Sequence, residues 1–157
     1  MRKRNYYKKI SHLPDYKYQR VDVGRFINYL MKDGKKTKAE KIFYQAMDKI
    51  EKETKENPLI IFEKALENTS PLYEVVSQRI GGANYQIPRE VRSERKFFLA
   101  CNWIIDAALN KKGKPMYKKL AEEFIAAYKN EGAAIKKKQD MHRMAEANRA
   151  FASLIHR

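Results

Sequence analysis

The sequence has one cysteine, Cys101, which excludes an internal disulfide and a cysteine-rich metal site and fits a reducing compartment. Its three histidines, His12, His142 and His156, fall into no metal-binding motif, so no metal is expected. No apolar run approaches the roughly 18 residues of a membrane span. The basic start MRKRNYYKKI is followed by no apolar stretch and does not read as a secretory signal. A soluble cytoplasmic protein is expected. Acidic residues are scarce: 19 Asp and Glu stand against 34 Lys and Arg, a net charge of +15. Self-repulsion of that size destabilises a compact state unless a polyanion relieves it. Nucleic acid is therefore the first partner expected, and an anionic membrane surface the second.

Catalytic patterns are missing too. The stretch DGKKT at 33–37 has the ending of a P-loop, but it follows a helix and lacks the first glycine of that motif. Glu122 and Glu123 read as a solvated helix face rather than an acid–base pair, and Met141 and Met144 read as core. No catalytic residue and no cofactor are expected.

What is present is cationic charge at the two ends. Residues 1–20 carry seven Lys/Arg and one acid, and residues 111–157 carry twelve and five, whereas the 90 residues between them hold a net charge of only +2. Extensions of this kind order on a polyanion. The apolar residues follow helical spacing in six segments. Val23, Phe26, Ile27 and Leu30 form the first, closed by Gly34; Ala39, Ile42, Phe43, Ala46 and Ile50 form the second, over 37–54. Asn57-Pro58 is a helix start with Asn as cap, followed by Leu59, Phe62, Ala65, Leu66 and Thr69. Ser93 caps a fourth helix carrying Phe97, Phe98, Ala100, Cys101, Trp103, Ile104, Ile105 and Ala108, apolar on two flanks and so central. Met116, Leu120, Phe124, Ala127 and Tyr128 form the fifth, closed near Gly132. The sixth, about 134–152, has a thin line of Met141, Met144, Ala145 and Phe151 among cations. No repeat or linker divides the chain, so one mainly α domain over 1–157 is expected.

One segment breaks the helical pattern. In SQRIGGANYQIP, at 77–88, Gly81-Gly82 suits a two-residue turn with positive φ at both positions. That turn pairs Ile80 with Ala83, Gln78 with Tyr85 and Val76 with Ile87 on one face of a β-hairpin over 73–91. Ser77 and Arg79 lie opposite Gln86 and Asn84 on the other face. A lone two-stranded ribbon is marginal in water, so its apolar face is expected to be covered from outside the domain.

Six ordered blocks then resemble a known family: LPDYKY at 13–18, RFINYLM at 25–31, DGKKTKAEKIFY at 33–44, NPLIIFEKALEN at 57–68, QRIGGANYQIPREVR at 78–92 and GAAIKKKQDMHRMAEANRAF at 132–151. Together they resemble the bacterial small-subunit ribosomal protein seven family along essentially the whole chain. The sequence departs from the usual pattern at Gln78, where a second Arg is common, at Ser93 for Pro and at Met141 for Thr, and it lacks a Pro after Met1.

The resemblance implies a non-catalytic helical protein with an extended hairpin. It implies binding to the 3′ major domain of small-subunit ribosomal RNA and nucleation of head assembly. It also places the protein beside exit-site transfer RNA and the messenger path, near ribosomal protein eleven and other head proteins. The residues expected to bind ribosomal RNA are Arg2, Lys3, Arg4, Lys8 and Lys9 in the basic extension 1–20, with Tyr6 and Tyr7 available to stack on bases. Arg25, Lys35 and Lys36 follow, then Arg79, Arg92 and Arg95 with the neighbouring Arg89, then Lys111, Lys112 and Lys114. Those expected near transfer RNA or messenger are Arg79, Gly81, Gly82, Asn84 and Tyr85 on the hairpin, and His142, Arg143, Asn148 and Arg149 in the basic segment 134–157. A membrane-surface helix would need Trp, Phe or Leu opposite its cations, which the sixth helix largely lacks. Another architectural nucleic-acid-binding protein, for duplex DNA or other structured RNA, is the alternative.

Overall fold

The computed structural model describes residues 11–156, with side chains through Ala152. Arg2, Lys3, Arg4, Tyr6, Tyr7, Lys8 and Lys9 lie outside the described residues. Among those described, the chain forms six α-helices and one pair of antiparallel strands, the mainly α class expected. Two compact units meet in sequence at Glu40 and Lys41.

In the first unit, the carboxylate of Asp15 is buried and its Oδ2 accepts the N–H groups of Lys17 and Tyr18, each at 3.0 Å. This is an Asx-type turn, and it gives LPDYKY a defined loop. Helix α1, Val21–Leu30, buries Val23, Phe26 and Ile27. At Gly24 a Cβ would stand 2.8 Å from the Leu13 carbonyl oxygen, so glycine is what lets the loop lie on this helix. Gly34 does not close α1. The helix stops at Leu30 with Met31 extended, and Asp33 (φ 53°) and Gly34 (φ 70°) form a separate turn before α2, Lys36–Thr54.

In the second unit, α2 contributes Phe43, Ala46, Met47 and Ile50 to the core. Helix α3, Pro58–Thr69, starts as its sequence dictates: Asn57 Oδ1 accepts the Leu59 N–H at 3.0 Å, and Pro58 fills the first turn. Phe62 of α3 stands edge-on between Phe43 (5.6 Å) and Phe124 (5.5 Å), an aromatic chain through the core. Helix α4, Ser93–Asn110, packs against α3, α5 and α6 and buries residues on most of its circumference, which makes it central. Its cap position is Arg92; Ser93 is already helical and does not cap.

Helix α5, Met116–Tyr128, closes on Asn130 rather than Gly132. Asn130 takes φ 60°, its N–H reaches the Ala127 carbonyl at 3.1 Å, and the Glu131 N–H reaches that of Ala126 at 2.8 Å. That pair of bonds is a Schellman motif. Gly132 (φ 95°) instead opens α6, Ala133–Ala147. Helix α6 ends five residues sooner than its apolar line suggests. Both the side-chain Nδ2 (2.8 Å) and the backbone N–H (3.2 Å) of Asn148 bond to the Met144 carbonyl, and Arg149–His156 continues as a tighter 3-10 segment. Met144 is half exposed and Met141 only half-buried, so neither is the core residue expected.

Glu123 is not solvated either. It is 1% exposed, its Oε1 accepts the Ala134 N–H at 3.1 Å, and its Oε2 lies 2.8 Å from Lys111 Nζ. The lysine contact is ionic, outside hydrogen-bonding angles. One carboxylate of α5 thus joins the end of α4 to the start of α6, where it also faces the helix's positive pole.

Strands β1, Tyr73–Ile80, and β2, Ala83–Glu90, pair in the expected register: Ile80 with Ala83, Gln78 with Tyr85 and Val76 with Ile87. Gly81 and Gly82 take φ 57° and 91°. The cover of this ribbon differs from expectation. Helix α6 packs on both strands and the 3-10 segment on β2, so that Ile87 is buried and the Tyr85 ring lies 5.4 Å from that of Phe151. The chain covers the root of its own hairpin, and the far end, with Gln78, Arg79 and Asn84, stays exposed.

The sterics at Gly132 yield a test. A Cβ there would meet Glu123 Oε1 at 2.9 Å in a left-handed backbone conformation. Gly132→Ala is expected to lower stability by about 1–3 kcal/mol in urea unfolding.

Candidate nucleic-acid interface

The β1–β2 register extends past the turn residues to the root, where Glu74 faces Arg89 directly. Glu74 is buried and gathers two arginines. Arg89 donates Nε (3.0 Å) and Nη2 (2.7 Å) to its Oε1, and Arg95, from the first turn of α4, donates Nε to its Oε2 at 3.2 Å. Burial alone would raise the pKa of this carboxyl, but the two arginines bring it below the usual carboxylate range. The Arg95 guanidinium also sits 5.1 Å from the Phe98 ring. Arg92 is exposed beside this group. Sequence reading had grouped Arg89 with its neighbours but missed Glu74, although two more steps of the same register bring the pair face to face.

The lysines beyond α4 form a separate patch, because 18 helical residues at ~1.5 Å each place them ~27 Å away. Lys111 is engaged by Glu123, and Lys114 donates to Glu122 at 2.6 Å, a bond that draws the Glu122 pKa down against the opposing effect of burial. Lys112 is exposed and joins no ion pair of the described residues. In the first unit, Lys35 and Lys36 are exposed and only loosely paired, to Asp33 at 3.7 Å and Glu40 at 4.0 Å, while Arg25 is half-buried on α1.

At the hairpin tip, Arg79 and Asn84 face each other across Gly81-Gly82, all exposed. Tyr85 is half-buried against Phe151. On the last elements, Arg143 and Arg149 are largely exposed, with partners Asp140 at 3.6 Å and Glu146 at 3.3 Å, and Asn148 is turned back on its own helix. His142 is anchored rather than presented. Its Nε2 accepts the Leu72 N–H at 2.9 Å, which fixes the neutral ring's proton on Nδ1, and its ring meets Tyr73 edge-on. Below it, Lys138 donates to the Asn68 carbonyl at 2.6 Å. Between α6, the 3-10 segment and the hairpin root runs an open groove of about 820 Å³, lined by Leu72, Tyr73, Pro88, Arg89, Glu90, His142, Ala145, Glu146 and Arg149 among others.

Among the described residues no His, Cys, Asp and Glu cluster suits a metal, and no helix is long and apolar enough to cross a membrane. Exposed cations in separate patches, with a hairpin whose tip is exposed, fit the class of polyanion-binding proteins. The whole-chain comparison makes this specific. Residues 1–149 match the model of the family described as ribosomal protein S7p/S5e, and the chain belongs to that family of structural, non-catalytic ribosomal proteins. Relatives named small ribosomal subunit protein uS7 include one from Thermotoga petrophila, 57% identical over 139 residues that make up 88% of this chain and 90% of that one. One from Rickettsia canadensis is 54% identical over 140 residues, 89% of this chain and 88% of that one.

His142 gives this region a pH signature. Burial, helped by the Lys138 ammonium, holds its pKa below the usual 6.5. The unfolded chain therefore binds the proton first, so the stability contributed by neutral His142 is present above pH 6.5 and lost as pH falls through the lowered folded value. His142→Gln, which keeps an acceptor for Leu72, should remove this share of the pH dependence in urea unfolding series from about pH 8 to about pH 5.

Proposed function

We propose that this chain is a structural constituent of the small ribosomal subunit. It binds the 3′ major domain of that subunit's RNA, nucleates assembly of the head, and works in the cytoplasm as one RNA-binding unit over 1–157. The observation that carries this reading is the distribution of exposed cations into discrete patches: Lys35 and Lys36, then Arg79 at the hairpin tip, Arg92 and Arg95 at its root, and Lys112 beyond α4. A-form RNA hides its base edges in a narrow groove, so a protein reads it by shape and phosphate position. Separated patches of exposed cations suit that task. The names of the relatives support the choice of subunit.

The second surface, toward exit-site transfer RNA and messenger, comprises the hairpin tip (Arg79, Gly81, Gly82, Asn84) with Arg143 and Arg149. His142, Asn148 and Tyr85 serve it by holding the scaffold. The groove beside Leu72 and Tyr73, both half exposed, is proposed to receive a neighbouring head protein, ribosomal protein eleven being the candidate.

Chemical footprinting of naked small-subunit RNA tests the primary claim: protection is expected within the 3′ major domain, and protection elsewhere, or equal affinity for duplex DNA, would refute it. Replacing Lys35 and Lys36 together with Ala should reduce the slope of log affinity against log salt by roughly 1 to 2. An unchanged slope would remove that loop from the interface.

A further inference from the structure

Two guanidinium groups share the single carboxylate of Glu74, which leaves the group one net positive charge. The acid lies inside, 5% exposed, and the bases lie outside, with side chains 56% exposed for Arg89 and 48% for Arg95. If stability were the only requirement, one arginine would satisfy the acid, and a well-packed apolar pair would do as well or better. The position of Arg95 argues the same way. It is the third residue of α4, at the positive pole of the helix, where a cation is disfavoured. Each guanidinium carries five N–H donors. Arg89 gives Nε and Nη2 to Glu74, and Arg95 gives only Nε, so Arg89 Nη1 and both terminal nitrogens of Arg95 make no bond to the acid. The Phe98 ring, 5.1 Å from the Arg95 guanidinium, gives it a second contact beside Glu74.

We propose that Glu74 is a positioning residue which holds Arg89 and Arg95 as a two-pronged clamp for backbone phosphate of the bound RNA. The proposal rests on the RNA-binding reading above and names the partner group of one patch within it. Arginine forks match phosphate bidentately, and a fork already locked in place loses less freedom when it binds. Glu74, itself repelled by phosphate, acts only through the two arginines.

That repulsion gives the test opposite signs. Glu74→Gln removes a negative charge near the ligand, so a purely electrostatic role predicts tighter binding. A positioning role predicts weaker binding. Affinities of the wild-type chain, Glu74→Gln, and the double variant Arg89→Lys/Arg95→Lys are measured against a small-subunit RNA fragment and a duplex DNA of equal length, after circular dichroism has shown each variant folded. Glu74→Gln is expected to bind about tenfold more weakly to whichever polyanion the wild type prefers. The lysine pair, which keeps the charge and lacks the forks, is expected to lose a similar factor. Unchanged or tighter binding by Glu74→Gln would overturn the proposal, as would full affinity in the lysine pair. If Glu74→Gln does not fold, the lysine pair alone decides. A wild-type preference for the duplex would overturn the ribosomal reading instead, and the same variants would still decide for or against a phosphate clamp.

Discussion

Repulsion among 34 cationic side chains, set against only 19 acids, is the constraint to which the rest of the structure answers. The buried acids of the described residues are Asp15, Glu74 and Glu123, and each one organises a junction. Asp15 ties the loop before α1 through two backbone N–H groups. Glu123 joins the end of α4 to the start of α6 while holding Lys111. Glu74 binds the root of the hairpin to the first turn of α4 through two arginines. Placed inside, Glu74 and Glu123 hold Arg89, Arg95 and Lys111 in fixed positions, while Asp15 holds backbone. Exposed ion pairs add little stability, so the cations left on the surface remain available to a partner at small cost to the fold.

Helix α6 connects these junctions. At its start it receives the carboxylate of Glu123; along its length Lys138 and His142 reach the Asn68 carbonyl and the Leu72 N–H. Its apolar contribution is small, with Ala134, Ile135 and Ala145 buried. Directional bonds therefore do for α6 what the Phe43–Phe62–Phe124 contacts do for the core. That explains how a strongly cationic helix with few buried apolar residues is held in the fold.

The legible parts of the sequence were those governed by local chemistry. The hairpin register followed from Gly81-Gly82 alone, because a two-residue turn leaves one pairing open. Asn57-Pro58 and the stripes of α2, α3 and α4 were equally plain. The misreadings have one cause. Gly132 was read as closing α5, Glu123 was placed on the surface, and Asn148 was not seen as a helix stop. At each of these positions the deciding partner is a hydrogen bond or charge whose choice the residue pattern leaves open. The patches of cations were readable as patches. Their division into engaged residues (Lys111, Lys114, Arg89, Arg95) and less constrained ones (Lys112, Arg79, Lys35) was not, because it depends on which acid folds up beside which base.

Mechanically, the hairpin is a cantilever. Its root is held by Glu74 on one side and by His142 on the other, and its eight-residue strands end in two glycines with no side chains to catch on a neighbour. A sideways load at such a tip becomes a torque at the root. There it meets the Glu74 ion pairs and the His142–Leu72 bond as well as the packing of Ile87 and Tyr85, which tie the hairpin to α4, α6 and the 3-10 segment.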